Sequence, residues 1–406
     1  MRAPLMPLDE ALATLLAQAT PLAGADTVST FEADGRVLAQ DLVAALQVPP
    51  HDNSAMDGYA LRCADVLQPG SVLQVSQRIA AGAVPAALES GTAARIFTGA
   101  PVPPGADAVV MQEECVALDG GCVRVQAVPR SGQNIRRSGE DIARGAVVLK
   151  AGTRLTPAAL GLAASMGLAQ LPVARRPRVA LFSTGDELVM PGDVLPQHMP
   201  PGAIYNSNRF FLRALLQRMG CEVTDCGIVP DQREATLQAL RHASGAQDVI
   251  LTSGGVSVGE EDHVKPAVQA LGSLDLWQIA IKPGKPFACG RVGQARFLGL
   301  PGNPVASLVT FLVLVRPYLL RLQGVHSVAP ESIAARADFI WPKADKRREF
   351  LRVRRNAAGG LDLYPHQGSG VLTSAVWGDG VVDNPPGQTI APGDTVRYLP
   401  FSELLA

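Results

Sequence analysis

Aromatic residues make up only 5% of this 406-residue chain, and neither charge dominates it: 36 Lys and Arg stand against 37 Asp and Glu. A net charge of −1 leaves no electrostatic footprint for nucleic acid or an anionic membrane, so neither partner is expected. Cysteine is sparse too. Cys63, Cys115, Cys122, Cys221, Cys226 and Cys289 contain no C-x-x-C pair, which argues against structural zinc, and they are too few for a disulfide framework. Reduced thiols in a cytoplasmic protein are the expectation. No apolar run reaches the ~18 residues of a membrane span. The greasiest stretch, 305–315, contains Ser307 and Thr310 and meets Arg316. Asp9 and Glu10 make the N-terminal stretch unlike a secretory signal. The six histidines lack metal spacing, and no Ser/His/Asp or Cys/His arrangement is visible.

Hydrophobic residues at 47% and charged residues at 18% describe a globular chain too long for one core. Leu8, Leu12, Leu15 and Leu16 recur at helical spacing. Residues 51–139 alternate short apolar runs with turn clusters, the signature of a small β domain. Within it, 109–115 and 122–128 read as a hairpin split by Asp119-Gly120-Gly121. Thr156 and Pro157 open a helix over 156–166 as N-cap and first residue. From Arg178 strands and helices alternate. Strands are expected at 178–182, 222–228, 248–251, 276–281 and 296–300, and helices at 207–219, 231–244, 262–271 and from about Pro304. That rhythm implies βαβ units around a parallel sheet. After Gly324, strands at 350–353, 361–364 and 395–399 form a smaller β domain.

Ligands of a parallel α/β sheet bind beyond the carboxyl ends of its strands. Three loops fall there, at 183–188, 252–259 and 300–304. The middle one, Thr252-Ser253-Gly254-Gly255-Val256-Ser257-Val258-Gly259, suits an anion, because paired glycines let N–H groups converge and small hydroxyls add donors. A plain turn explains one such loop. Three on one edge favour a phosphorylated ligand. Lys282 and Lys285, on a turn stiffened by Pro283 and Pro286, can neutralise a phosphate or an oxyanion. Asp186, Glu187, Glu260, Glu261 and Asp262 flank the glycine loops, and carboxylates beside a phosphate recruit Mg²⁺. Asp262 reads equally as a helix cap, as does Asp231 with Glu234 three residues on. Asp57 and Thr98-Gly99 suit plain turns, and 136–141 a solvated charged loop.

Seven strings then carry a resemblance. They are SAMDGYA at Ser54, IFTGAPVPPGADAVV at Ile96, IRRSGEDI at Ile135, STGDEL at Ser183, TSGGVSVGE at Thr252, IKPGKPF at Ile281 and LPGNPV at Leu300. In this order the chain resembles the MoeA family, the molybdenum-insertion enzymes of molybdenum-cofactor biosynthesis, which include the C-terminal part of gephyrin. The resemblance implies a multidomain α/β plus β fold. Residues 1–50 with 140–176 would form an extended helical region, 51–139 a small β domain, 177–326 the parallel-sheet α/β molybdopterin-binding domain, and 327–406 a C-terminal β barrel. It implies a Mg²⁺-supported reaction in which adenylylated molybdopterin and molybdate yield molybdenum cofactor and AMP. It implies a homodimer with an intersubunit site, with molybdopterin adenylyltransferase and molybdoenzyme maturation proteins as candidate partners.

Matching the family residue by residue makes Asp57, Thr98, Glu187, Asp231, Asp262 and Lys282 the catalytic set. Arg137, Asp186, Ser253, Gly254, Gly255, Ser257, Lys285, Pro301, Gly302, Asn303 and Ser369 become substrate-binding, and Asp186, Glu187 and Asp262 the metal ligands. Two positions depart from the family: Asn206 replaces an expected Asp, and Gln278 an expected Lys. Two other functions compete with insertion, adenylyl transfer to molybdopterin by a related α/β domain and a non-catalytic scaffold. The Asp57 and Arg137 strings favour insertion over the first, and the lack of an appended domain or long linker disfavours the second.

Overall fold

Period-two alternation of side chains sends neighbouring residues of the central strands into opposite cores. Along Arg178–Thr184, Val179 and Leu181 enter one core while Ala180 and Phe182 enter the other. Val249–Ser253 repeats this, with Val249 and Leu251 on one side and Ile250 on the other. Strands covered by helices on both faces therefore read as unbroken apolar runs. The computed structural model describes residues 5–255 and 263–405. The chain divides into two units, one of Met1–Asp26, Gly35–Ala39 and Pro172–Ala406, the other of Thr27–Asp34 and Gln40–Leu171.

In the first unit six strands pair in the order Glu222–Val229, Arg178–Thr184, Val249–Ser253, Ala295–Leu300, Pro286–Val292, Gly272–Gln278. The first four are parallel, and Pro286–Val292 runs antiparallel to both its neighbours, so the sheet is mixed. The strand expected at 276–281 is instead split. Gly272–Gln278 returns antiparallel against Pro286–Val292, and Ile281–Lys282 joins a different sheet. The chain reverses over 279–285, where Ile281–Lys282 is drawn off to pair with Arg348–Glu349, and reverses again from Pro286–Val292 into Ala295–Leu300 through Gly293, whose φ of 57° suits a residue without a side chain.

Helices cover both faces. Leu212 and Leu216 of Ser207–Arg218, Leu319 of Pro304–Leu322, and Leu8 and Leu15 of Leu8–Ala17 fill one core. Leu237 and Leu240 of Arg233–Ser244, with Val264 and Val268 of Val264–Leu271, fill the other. Arg233–Ser244 starts after Gln232, so Asp231 is not its cap. Pro304–Leu322 runs unbroken through Ser307, Thr310 and Arg316, and is long and apolar enough to cross a membrane. Its window is nonetheless 83% buried inside the protein. Arg316 donates to the carbonyls of Val328 and Glu403 at 3.2 and 2.9 Å, which accommodates its charge. Pro317 lacks an N–H for the helical ladder, and the turn before it, Phe311–Val315, widens to a π-helix.

A second sheet of this unit pairs Ile281–Lys282, Arg348–Arg355, Gly380–Asn384, Thr395–Pro400 and Ile333–Arg336 in that order, with Leu361–Leu363 beside Arg348–Arg355. A bridge from Ala337 to Leu361 links its two sides.

The other unit holds a six-stranded sheet ordered Ala108–Met111, Gly58–Leu61, Thr92–Ile96, Ser71–Ile79, Cys122–Val125, Cys115–Leu118. Only the Ser71–Ile79 and Thr92–Ile96 pair is parallel. Both faces are again buried: Ala93 and Val110 line one core, Ala94 and Val109 the other. The expected hairpin is shorter than 109–128. Cys115–Leu118 turns through Asp119–Gly121 into Cys122–Val125, while Ala108–Met111 pairs with Gly58–Leu61. Thr156 does cap Pro157–Ser165, its hydroxyl accepting the Ala159 N–H at 3.3 Å.

Leu251 is fully buried in the central strand of the first unit. Leu251→Ala is expected to destabilise that unit by about 2–5 kcal/mol, read by chemical denaturation, since the site can relax only partly around the cavity.

Candidate functional site

Parallel register decides where the site forms. Ser183 pairs with Ser253, and Ser253 with Leu300, so three strands end at one level. The loops that follow open into a cleft of about 1050 Å³. Its walls include Gly185 and Glu187, Ser253 to Gly255, and Pro301 to Pro304, as the strand-end argument requires.

The glycine loop passes very close to its neighbour. A Cβ on Gly254 would stand 2.7 Å from the Thr184 carbonyl, and one on Gly255 3.0 Å from the Thr184 hydroxyl. Their φ values of 93° and 65° exclude side chains on conformational grounds as well. The Gly254 N–H donates to the Leu300 carbonyl at 3.1 Å, tying the second loop to the third strand. Asn208 completes the clamp: its Nδ2 donates to the Ser253 hydroxyl and to the Gly302 carbonyl, both at 2.7 Å. The hydroxyls of Ser183, Thr184 and Thr252 are buried nearby without a partner among the described residues.

Asp186, unlike Glu187 and Asp231, is not among the lining residues of the cleft. The Asp231 N–H donates to Asp186 Oδ1 at 3.2 Å. Ser257 and Asp262 lie outside the described residues. Among the described residues no three His, Cys, Asp or Glu side chains gather into a metal cage. Mg²⁺ does not need one, since it binds through one or two carboxylates plus waters and substrate phosphates. The all-oxygen pair of Asp186 and Glu187 fits that habit.

Lys282, Lys285, Arg347 and Ser369 also line the cleft. Lys282 is already engaged. Its Nζ donates to Glu349 at 2.9 Å and lies 3.5 Å from Asp345. Arg347 clasps the same Asp345 at 2.8 Å and holds its carboxyl well below the usual range. No ion pair engages Lys285 among the described residues. Asn206 caps Ser207–Arg218, its Oδ1 accepting the Arg209 N–H at 3.2 Å, a task Asp performs equally well. Its Nδ2 is buried without a partner among the described residues. Gln278 does not line the cleft.

Asp57, Thr98 and Arg137 belong to the other unit and form their own group. Asp57 Oδ1 accepts both the N–H and the hydroxyl of Thr98, each at 2.7 Å. A Cβ on Gly58 would strike the Val110 carbonyl, so glycine is required beside Asp57. Arg137 is not merely solvated: it donates to Asp52 at 2.6 Å, and the Ser138 N–H donates to the same carboxylate at 2.8 Å. Ile135–Arg136 pairs with Asn53–Ser54, which brings the two strings together.

The sequence reading missed Asn208, Arg347 and Glu349. Asn208 stands in the string at 205–209 and offered a signal, a helix-disfavouring amide in a first turn. Glu349 offered none, because it faces Lys282 only through strand pairing across 67 positions, and Arg347 stands in a charged run with no periodicity.

Comparison with known proteins adds the decisive observation. Residues 6–167 match the model "MoeA N-terminal region (domain I and II)", 180–321 match "Probable molybdopterin binding domain", and 334–401 match "MoeA C-terminal region (domain IV)". A molybdopterin molybdenumtransferase of Haemophilus influenzae is 39% identical over 99% of this chain and 100% of its own length. The chain belongs to the MoeA family. One from a Nostoc species is 40% identical over 92% of the chain and 88% of its own. A crystal structure of a MoeA protein from Pyrococcus horikoshii superposes with a TM-score of 0.79 at 31% identity, covering 98% of this chain and 99% of that one. Membership of the MoeA family makes the chain an enzyme, a transferase.

The two bonds from Thr98 hold the Asp57 carboxyl below its ordinary value of 3.8. A depressed carboxyl adds stability above its unfolded pKa and loses it as pH falls through the folded value. Thr98→Ala is expected to raise the Asp57 midpoint towards 3.8, as read by carboxyl-carbon NMR titration; an unmoved midpoint contradicts the assignment.

Proposed function

We propose that the chain inserts molybdenum from molybdate into adenylylated molybdopterin, releasing AMP and forming molybdenum cofactor. The observation that carries this reading is the cleft at the ends of three parallel strands, lined both by backbone and hydroxyl donors and by Lys282, Lys285 and Arg347. The pterin substrate and molybdate are both anionic, and such a cleft offers donors and cations to both.

Ser253, Gly254, Gly255, Pro301, Gly302 and Asn303 would hold the phosphates through fixed N–H and hydroxyl donors, which cost no reorganisation during reaction. Asp186 and Glu187 would hold Mg²⁺, with Asp262 as the third proposed ligand. When bound, the ion supplies charge neutralisation at the phosphoanhydride. Asp231 is assigned to the same catalytic set, and its N–H fixes Asp186 at 3.2 Å. Lys285 would receive the oxyanion directly. Lys282, fixed by Glu349 and Asp345, would present its remaining donor capacity beside it, with Ser369 adding a hydroxyl. Ser257 is assigned to substrate binding with the rest of its loop.

Asp57, Thr98 and Arg137 would be supplied by a second copy of the chain, giving a homodimer with two composite sites. Support comes from the two sets of polar residues lying in different units of one chain. We read the chain as four domains, 1–50 with 140–176, 51–139, 177–326 and 327–406. Separate cores support the β and α/β parts, and the Ala337–Leu361 bridge supports closure of the last part as a barrel. A cytoplasmic location, and docking to molybdopterin adenylyltransferase and molybdoenzyme maturation proteins, complete the reading.

Purified protein given adenylylated molybdopterin and Mg²⁺ is expected to release AMP only when molybdate is added. ATP-dependent adenylylation of free molybdopterin would instead assign the preceding step. Glu187→Ala is expected to slow AMP release on the order of 10²-fold with the fold intact, as for removal of one fixed charge at a phosphoryl centre. Full activity in that variant removes Glu187 from the site.

A further inference from the structure

The cations that face the cleft are largely compensated. Lys282 and Arg347 share Asp345 and Glu349, two positive groups against two carboxylates. Arg352 is different. It is 1% exposed, yet no carboxylate pairs with it among the described residues. Its guanidinium is spent on neutral oxygens instead. Nε donates to the Ser374 hydroxyl at 3.1 Å, Nη1 to the Phe350 carbonyl at 2.8 Å, and Nη2 to the Gly368 carbonyl at 3.4 Å. Burial pushes it down to about 10, as desolvation of a cation without a counterion must. A buried unpaired charge is costly, so a compensating anion is the natural complement.

Arg352 also organises the loop in front of it. Its N–H donates to Gln367 Oε1 at 2.9 Å, and its carbonyl accepts from Gln367 Nε2 at 2.9 Å. Gln367, Gly368, Ser369 and Gly370 all line the cleft. The Ser369 carbonyl accepts from Val305 at 2.9 Å, fixing the loop to the start of Pro304–Leu322. The Ser369 N–H donates to no partner among the described residues. A cation on the Gly368 carbonyl polarises the peptide that continues into this N–H and strengthens it as a donor.

We propose that Arg352 is a positioning residue for the oxyanion subsite, polarising the Gly368–Ser369 peptide and supplying, from behind the cleft wall, the positive charge that a bound tetrahedral oxyanion such as molybdate neutralises. The inference rests on the cleft being the molybdate site. It adds a residue that touches no substrate.

Titration of sodium molybdate into the full-length protein by calorimetry tests it, with AMP titrated as the control ligand. Arg352→Met is expected to weaken molybdate binding roughly tenfold, the value of one charge-assisted interaction, while AMP binding stays within about twofold. Arg352→Lys keeps a charge that burial makes easy to lose. Its molybdate affinity is expected to fall between about pH 6.5 and about pH 8.5 while the wild type stays level. The proposal is overturned if folded Arg352→Met binds molybdate like the wild type, if it weakens both ligands alike, or if Arg352→Lys tracks the wild-type pH profile. Should Arg352→Met fail to fold, the Arg352→Lys profile decides alone. A wild-type protein that binds AMP but no molybdate overturns the cleft assignment itself.

Discussion

Ser183, Ser253 and Leu300 stand side by side at the ends of three parallel strands, and the site follows from that alignment. Parallel pairing fixes all the carboxyl ends on one edge, so loops distant in sequence must emerge together. The starts are fixed as well. Asp248 accepts two bonds from Arg175 at 2.7 Å and one from the Arg178 N–H at 2.8 Å, which pins two neighbouring strands at their origins. A shift of one residue would send Val179 and Leu181 into the wrong core, so burial itself enforces the register.

Charge is arranged with similar economy. The C-terminal sheet takes in Ile281–Lys282 as a strand, opposite Lys282 to Glu349, and so turns a flexible lysine into a fixed one. Trp341 Nε1 donates to the other Glu349 oxygen at 2.7 Å, so the buried carboxylate has donors for both oxygens. A lysine held this way loses little freedom when an anion arrives, and pre-organisation of that kind raises affinity. The cost is a weaker net field at the cleft. Lys285 and the buried Arg352 are the groups left to restore it.

Much of this was legible in the residues. Unbroken apolar runs at 178–182 and 248–251 marked strands covered on both faces, and the turns after them marked the site edge. Gly254 and Gly255 were readable as a nest, although the reason no side chain fits, Thr184 against both and Val264 against Gly255, was not. In the mixed sheet Pro286–Val292 was missed and the strand at 276–281 misplaced, because the chain reverses at 279–285 and again at Gly293 and no periodicity announces either reversal. Glu349 and Arg352 were invisible because their partners are distant in sequence. Glu349 holds Lys282 and Arg352 reaches Ser374 and the Gly368 carbonyl, and no local periodicity reports such contacts.

The most direct test of the central claim is a crystal structure of the protein with adenylylated molybdopterin and molybdate bound. The account predicts phosphate density against the 253–255 and 301–303 loops and molybdate density beside Lys285 and Ser369. Phosphate density away from the ends of the three parallel strands would contradict it.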